Sequence, residues 1–309
     1  MNILITGAAG FIGSSLAARL VADGQQVIAV ARVLSQKLAS PEFGDRLIKI
    51  IAPVEKTTLV PLLQKYQPDV LIHCAGTGTV SQAQGDPQSS FNSTVGTVSE
   101  ALEAVREFSP KTLFLLISSA SVYGDRGNVL LHESLMPQPM SAYGYSKAMA
   151  EMLVQQYASQ FGISALVVRP FSVYGELQQK QVIYDLCAKL VLLPNELALM
   201  GSGEETRDFL HIDDLASSIL SLIRLRYTGV VNLGTGISTK IVDLVRQIAD
   251  QLSPQTHIVF GGSGRTTDPG HLVADVKLSN SLGIFPTISL RSGLEQICTT
   301  VATSAGVRI

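Results

Sequence analysis

The chain has 309 residues, a net charge of −2 and only 16% charged residues, without a block of like charge. Such a chain lacks the electrostatic footprint of nucleic-acid binding or of an anionic-membrane surface, so we expect a small-molecule ligand. Hydropathy is high, but every apolar run is broken before about 18 residues, which predicts a buried sheet and no membrane span. Three widely spaced cysteines and an N-terminus that starts directly on a strand favour a cytoplasmic protein with inert core thiols.

The first predicted elements are a buried strand over residues 2–6, a glycine turn and an amphipathic helix. The turn is Gly7-Ala-Ala-Gly10-Phe11-Ile12-Gly13. Its glycines let the backbone approach a pyrophosphate, whose charge is met by N–H groups at the start of the helix. This order predicts a dinucleotide site rather than a tight turn alone.

Strands and helices then alternate as far as residue 169, with further strands predicted at 26–31, 47–51, 70–74, 111–117 and 164–168. This alternation predicts an α/β fold with a doubly wound parallel sheet. A long helix is expected over about residues 88–107. From residue 170 the elements are shorter and are separated by glycine and proline, so we expect a smaller C-terminal α/β substrate lobe over 170–309. The chain is expected to return to the first domain (1–169) at about 210–235.

Tyr143 and Lys147 are four residues apart in a predicted helix, which places both side chains on one face. An ammonium near a phenol favours the phenolate, so we expect the pKa of Tyr143 to fall from about 10 towards neutrality. Such a tyrosine can transfer protons. The alternative is a surface helix with an accidental Tyr/Lys pair.

Taken together, these motifs resemble the extended short-chain dehydrogenase/reductase family over nearly the whole chain. The glycines are spaced by three and three residues, and Tyr143-x-x-x-Lys147 follows downstream. The segment His73-Cys74-Ala75-Gly76 resembles the family's cofactor turn, and Ser119 precedes Tyr123-Gly124 as the family's hydroxyl residue does.

The resemblance implies a Rossmann-type fold with Ser119, Tyr143 and Lys147 as the catalytic set. Ser118 and Ser121 are near alternatives to Ser119, because serines cluster at strand ends for turn chemistry. The residues that the resemblance implies at the cofactor are the turn, strand-end and helix positions Gly7, Gly10, Phe11, Ile12, Gly13, Arg32, Ala75, Gly76, Tyr143 and Lys147.

The cofactor itself is expected to be NAD or NADP. Relatives that use NAD end the second strand with an acid for the ribose hydroxyls, whereas this chain has Val30-Ala31-Arg32. Arg32 can bind a 2′-phosphate instead, which keeps NADP as the alternative to NAD.

The substrate that the resemblance implies is a nucleotide-diphosphate sugar. Arg207 and Arg265 are candidates for its diphosphate, which suits a guanidinium fork, and Ser119 and Ser172 are candidates for contact with the sugar. The alternative for both arginines is an ordinary surface or ion-pair role. We expect no metal site, because neither His73 nor His211 has a second ligand at metal spacing. A homodimer through the helices at 88–107 and 143–161 is also implied.

Three functions are open at this level. The first is an epimerase that transiently oxidises C4 of the hexose, and the second is an NADPH-dependent 4-keto-6-deoxyhexose reductase. The third, from another class, is a non-catalytic dinucleotide sensor or binding protein. A sugar dehydratase is disfavoured, because Ala120 and Ser121 occupy the positions where those relatives carry an acidic pair.

Overall fold

A computed structural model describes residues 1–33, 35–176, 178, 180–192, 195–262, 264 and 267–304. The strands are β1 (Asn2–Thr6), β2 (Gln26–Ala31), β3 (Leu47–Ile51), β4 (Val70–His73), β5 (Leu113–Ile117), β6 (Ala165–Pro170), β7 (Ser172–Tyr174), β8 (Glu196–Leu199), β9 (Thr206–Arg207), β10 (Phe209–His211), β11 (Gly229–Leu233), β12 (Thr239–Lys240), β13 (His257–Phe260) and β14 (His271–Leu272).

The helices are α1 (Phe11–Ala22), α2 (Gln36–Ala39), α3 (Lys56–Tyr66), α4 (Val80–Gly85), α5 (Pro87–Phe91), α6 (Thr97–Phe108), α7 (Ala142–Phe161), α8 (Val182–Leu192), α9 (Ile212–Arg224), α10 (Ile241–Leu252), α11 (Lys277–Ser281) and α12 (Leu290–Ser304). Short 3-10 turns cover Pro41–Arg46 and Ala120–Val122, and a π turn covers Asn92–Gly96. None of the described helices is long and apolar enough to cross a bilayer.

The chain divides into two compact units, which we call the first and the second unit. The first consists of Met1–Val122, Ser141–Arg169 and Ala216–Val231. The second consists of Tyr123–Met140, Pro170–Leu215 and Asn232–Ile309. Each unit has its own buried apolar cluster.

The first unit is built on a seven-stranded sheet with the order β3-β2-β1-β4-β5-β6-β11. The pairings from β3 through to β6 are parallel. All residues of β4 and β5 are buried, as expected for a sheet covered on both faces, and this is why β5 and the first three residues of β4 are apolar. The predicted doubly wound parallel sheet is confirmed.

The strand order reverses beside β1, which has β2 on one side and β4 on the other. Chain connections leave in opposite directions at such a point and open a crevice at the carboxyl ends of the strands, where ligands of these sheets bind. One face of the sheet packs on α3, α6 and α7 through a buried apolar cluster that includes Leu71, Phe114 and Val98. That packing fixes α7 against the end of β5.

The second unit consists of small sheets and helices. Its sheets are β10-β7, β12-β9-β14 and β13-β8. The helices α8, α10 and α12 bury one cluster that includes Leu190, Leu244 and Leu294. The sequence predicted short elements separated by glycine and proline here but not the pairing of the strands, since strands of two to four residues carry no usable hydrophobic period.

The helix expected over 88–107 is present as a continuous helical segment over 87–108, in which the π turn Asn92–Gly96 lies between α5 and α6. The helix α9 begins at Ile212, so Asp213 and Asp214 lie in its first turn. Asp214 accepts hydrogen bonds from Thr287 N and Ile288 N at 3.0 and 2.9 Å, and therefore anchors a distant segment.

Candidate active site

The glycine turn packs against the backbone that follows β4. Gly7 has φ +67°, and a Cβ there would lie 2.5 Å from Ala75 N. A Cβ on Gly13 would lie 2.4 Å from Gly7 O. Neither position tolerates a side chain without moving backbone, so the two glycines hold the turn and α1 in close contact.

The start of α1 offers unopposed backbone donors. Gly10 is the N-cap without a side-chain cap, and the first turn contains no acidic residue. Phe11, Ile12 and Gly13 form this turn, and their N–H groups have no carbonyl four residues earlier in the helix. The positive end of the helix dipole therefore remains available for a phosphate.

A cleft of about 1080 Å³ opens beside this turn in the first unit. It is lined by residues from the glycine turn, the ends of β2, β3 and β4, and the segment from α5 to α6: Gly7, Ala9, Gly10, Ala31, Arg32, Val33, Pro53, Val54, Glu55, Thr57, Cys74, Ala75, Gly76, Asp86, Gln88, Ser89, Asn92, Ser93, Gly96, Thr97 and Glu100. Its size and its turn of close-packed glycines fit a dinucleotide.

The charges at the β2 end of this cleft are mixed. Arg32 lies there beyond the last residue of β2, and the carboxylate of Glu55 lines the same cleft. Glu100 also lines it, but its Oε2 accepts a hydrogen bond from Lys56 N at 2.7 Å. Arg32 is thus placed where an adenosine ribose or its phosphate binds in dinucleotide folds.

The three serines that follow β5 have different partners. Ser118 is buried and its hydroxyl donates to Glu151 Oε1. Ser119 Oγ accepts from Ser121 N at 3.1 Å and lies 3.1 Å from Ser121 Oγ. The Ser119 hydroxyl is also close enough to Tyr143 to act on the pKa of that phenol, which it lowers. The structure therefore brings Ser119 to the tyrosine, while Ser118 is engaged elsewhere.

Tyr143 lies in the first turn of α7, which Ser141 caps by accepting a hydrogen bond from Gly144 N at 3.1 Å. Burial raises the pKa of Tyr143, and the Ser119 hydroxyl opposes that rise. The expectation that Lys147 lowers the pKa of Tyr143 towards neutrality was wrong. The ammonium lies 5.9 Å from the centre of the tyrosine ring and donates instead to Ile117 O at 2.8 Å.

Lys147 is almost completely buried, at 5% exposure. Burial lowers its pKa to about 8, and Cys74 and Glu151 act in the opposite direction. Burial and the charge of Lys147 lower the pKa of the neighbouring His73 to about 3, so this imidazole is neutral at physiological pH. His73 contacts Thr6 Oγ1 and Thr97 Oγ1 at 3.0 and 3.2 Å, which is a packed, hydrogen-bonded role.

No group of three potential metal ligands occurs among the residues that the structure describes. Chemically, the first unit instead offers the Ser119 hydroxyl, the Tyr143 phenol and the Lys147 ammonium, together with a dinucleotide-sized cleft that other residues line. Such a set can orient an oxygen, move a proton to or from it and influence the charge of the phenol.

The sugar-phosphate candidates belong to the second unit. Arg207 is half-buried in β9, and its Nη1 donates to Thr206 O at 2.8 Å. Burial lowers the pKa of Arg207, while the carboxylates of Asp268, Glu205 and Asp125 raise it. Ser172 is half-buried in β7. Arg265 lies outside the described residues.

Sequence reasoning missed the buried carboxylates of Asp208 and Glu151. Asp208 has no exposed surface and accepts from Thr235 N, Gly236 N and Ala274 N at 2.7, 2.9 and 3.2 Å. Glu151 forms an ion pair with Arg169 at 2.6 Å. An acid four residues after Lys147 on the same helix face was the available indication for Glu151. Asp208 had none, because its donors come from distant loops.

The cysteines also differ from expectation. Cys74 is not a core thiol but is half-buried and lines the cleft, although burial raises its pKa to about 12. Cys187 and Cys298 are buried, and their sulfurs are 3.9 Å apart. This proximity is invisible in the sequence, because 111 positions separate the two residues.

Comparison with known proteins places the chain among nucleotide-sugar enzymes. The model of the NAD dependent epimerase/dehydratase family matches residues 3–234. A UDP-glucose 4-epimerase of Mycolicibacterium smegmatis is 30% identical over 308 residues, covering 95% of this chain and 96% of that protein. A GDP-6-deoxy-D-mannose reductase of Pseudomonas aeruginosa is 29% identical over 307 residues, covering 96% and 95%. The UDP-glucuronic acid 4-epimerase of Bacillus cereus, solved with UDP-glucuronic acid and NAD, has a TM-score of 0.88 at 29% identity and covers 98% of this chain and 100% of that one.

Proposed function

This chain belongs to the NAD dependent epimerase/dehydratase family, and on that premise we propose that it is a nucleotide-sugar epimerase acting at C4 of the hexose. The observation that carries the proposal is that Ser119 lies near Tyr143, which is one helical turn before Lys147, in the same unit as the dinucleotide-sized cleft. Relatives and solved structures that act as 4-epimerases support it.

In this mechanism Tyr143 takes the proton of the C4 hydroxyl and later returns it. Ser119 hydrogen bonds the same oxygen and fixes its direction, and Lys147 stabilises the phenolate while it exists. The bound nicotinamide cofactor supplies the complementary hydride chemistry at the attached carbon. Because burial keeps the phenol protonated, a positive charge near Tyr143 is needed when it acts as a base.

The substrate is, on this proposal, a nucleotide-diphosphate sugar. Arg207 binds its diphosphate, since the guanidinium is half-buried and its bond to Thr206 O leaves further donors. Ser172 is the candidate for contact with the sugar, and Arg265 is a second candidate for the diphosphate. UDP-glucose and UDP-glucuronic acid are the first substrates to test, because the names of the relatives contain them.

We propose NAD as the cofactor, since the Bacillus cereus enzyme was solved with it. The glycine turn and the start of α1 hold the pyrophosphate, while Ala75 and Gly76 line the cleft beside it. Arg32 supports NADP as the alternative. Arg32→Ala is expected to weaken NADPH binding at least about tenfold more than NADH binding if Arg32 contacts the 2′-phosphate. Equal loss for both cofactors, measured by fluorescence titration, would contradict that role.

The second candidate is a reductase of nucleotide 4-keto-6-deoxyhexoses. It is favoured by the likeness to the Pseudomonas aeruginosa reductase and by Arg32. A non-catalytic sensor is disfavoured, because a sensor needs the cleft but not a serine hydroxyl near Tyr143.

To decide between these functions, purified protein is incubated with UDP-glucose or UDP-glucuronic acid and the configuration of the sugar is followed by NMR. An epimerase converts part of the substrate into its C4 epimer without net consumption of cofactor. A reductase leaves these sugars unchanged and consumes NADPH with a 4-keto-6-deoxy substrate. Failure of both reactions, with retained dinucleotide binding, would favour the sensor.

A homodimer and a cytoplasmic location belong to the same proposal. Tyr145, Met149 and Met152 are exposed at positions one turn apart on α7, and Phe91 at the end of α5 is exposed as well. This apolar stripe suits a second copy of the chain. Free thiols at Cys74, Cys187 and Cys298 fit a reducing compartment. Sedimentation of the wild type and of Met152→Glu tests the dimer.

A further inference from the structure

A buried group of side chains lies directly behind the candidate catalytic residues in the first unit. It comprises Ser118 after β5, Glu151 on α7 and Arg169 on β6, each 8% exposed or less. We propose that Glu151 is a positioning residue, which keeps Lys147 protonated and fixes the Ser119 end of β5 against α7. This inference rests on the proposed proton transfer by Tyr143.

The carboxylate of Glu151 connects three elements. Oε1 accepts from the Ser118 hydroxyl and, at 3.0 Å, from Arg169 Nε. Oε2 accepts from Arg169 Nη2 at 2.6 Å. A fork-like pairing of a guanidinium with a carboxylate restrains the orientation of both groups. Glu151 is therefore held in one orientation by donors from two strand ends.

Tyr143, Lys147 and Glu151 follow each other at intervals of four residues on α7, which places them along one face. The end of β5 is consequently attached to this face at two successive points. Lys147 Nζ donates to Ile117 O at 2.8 Å, and Ser118 donates to Glu151. Ser119 is the next residue, so these two bonds determine where its hydroxyl lies relative to Tyr143.

The charges around Lys147 come from several elements. His73 and Cys74 approach from β4, Tyr143 and Glu151 lie on α7, and Arg169 lies on the far side of Glu151. His73 is neutral at physiological pH because its pKa is about 3. The Cys74 thiol is also neutral because burial raises its pKa to about 12. Of these described neighbours, Glu151 is the one that has a carboxylate.

Removal of that carboxylate has a defined consequence. Lys147 already has its pKa lowered to about 8 by burial, so a further decrease places its deprotonation within the physiological range. Glu151→Gln also removes the carboxylate that forms the ion pair with the guanidinium of Arg169. A buried charge that has lost its partner destabilises the fold strongly, whereas removal of both partners costs far less.

The experiment therefore compares Glu151→Gln with the double variant Glu151→Gln/Arg169→Met. Ionisation of Lys147 is followed by NMR of protein with isotope-labelled lysine, assigned with Lys147→Arg, and turnover is followed against pH. Glu103→Gln is the matched control, because Glu103 forms an ion pair of 2.6 Å with Arg106 on the half-exposed surface of the same unit.

We expect the double variant to regain most of the thermal stability that Glu151→Gln loses. The ionisation of Lys147 and the alkaline limb of turnover should remain shifted to lower pH by about one unit. Glu103→Gln should leave both unchanged. A double variant with wild-type Lys147 ionisation and a wild-type pH profile would overturn the inference. Loss of wild-type turnover on all sugars would instead refute the proposed function, and the NMR titration would still decide the role of Glu151.

Ser118→Ala provides a second route if the double variant does not fold. It preserves both charges and removes only the bond between β5 and Glu151. We expect turnover to fall about tenfold, as for loss of one hydrogen bond to a charged group, while the ionisation of Lys147 stays unchanged. Wild-type turnover in Ser118→Ala would show that Glu151 does not fix the position of Ser119.

Discussion

The candidate functional residues of the two units lie on secondary-structure elements of very different length. In the first, Ser119 follows a five-residue buried strand and Tyr143 and Lys147 lie on a 20-residue helix. In the second, Ser172 and Arg207 lie on strands of three and two residues. Proton transfer needs atoms at fixed distances, which long packed elements provide. Binding of a diphosphate by a charged side chain depends less on exact distances, so short strands are sufficient for it.

The largest effect is expected for a substitution that removes proton transfer in the first unit. Tyr143→Phe removes the proton-transferring oxygen and should lower turnover by about 10²- to 10⁴-fold with nearly unchanged cofactor affinity. Tyr145→Phe is the control, because Tyr145 is 55% exposed on another face of the same helix. Comparable activity of the two variants, in a steady-state assay, would remove Tyr143 from the mechanism.

The next effect tests how closely the first unit is packed. Gly13→Ala should lower dinucleotide affinity at least about tenfold, since its Cβ would lie 2.4 Å from the carbonyl oxygen of Gly7 and displace the turn. Gly96→Ala is the matched control, because Gly96 lines the same cleft and a Cβ at this position would have no atom within 4 Å. Calorimetric titration with NADH distinguishes them, and equal affinities would contradict the close-packing argument.

For the second unit the expected effect is on binding rather than on chemistry. Arg207→Ala should raise KM for the nucleotide sugar about 10- to 100-fold, with a smaller change in kcat. An increase of this size corresponds to the loss of one hydrogen bond between charged groups. Arg291→Ala serves as the control, because this arginine is 85% exposed on α12 of the same unit. An unchanged KM in Arg207→Ala would assign Arg207 to an ordinary surface role.

The smallest effect concerns stability against pH. His73 has its pKa lowered from 6.5 to about 3 in the folded protein, so between these values the unfolded chain binds the proton and the folded one does not. Stability should therefore fall as pH decreases through this window, by at most about 1.4 kcal/mol per pH unit for this group.

Urea unfolding at pH 7 and pH 5 measures that change. In His73→Asn the dependence on pH should become weaker, whereas His132→Asn, at a residue with a half-exposed side chain, should leave it unaltered. A steeper dependence in His73→Asn would contradict the assignment of a buried neutral imidazole.

The sequence anticipated the first unit better than the second for a physical reason. Each strand of a covered parallel sheet is a continuous apolar segment, and its functional residues follow directly after it, as Gly7 follows β1 and Ser118 follows β5. In the second unit the strands are short and their order depends on pairing between distant segments, such as β9 with β12 and β14. Pairings of this kind have no local pattern.

By itself, the sequence determined the doubly wound sheet, the glycine turn and the family, because these depend on hydrophobic period and residue spacing. The sequence placed Ser119 ahead of its alternatives Ser118 and Ser121, but only the tertiary structure gave the different partners of the three hydroxyls. It also decided the protonation of the site. Burial raises the pKa of Tyr143 and lowers that of Lys147. The spacing of two residues along a helix does not reveal how deeply they are buried, because burial depends on the packing of the whole chain.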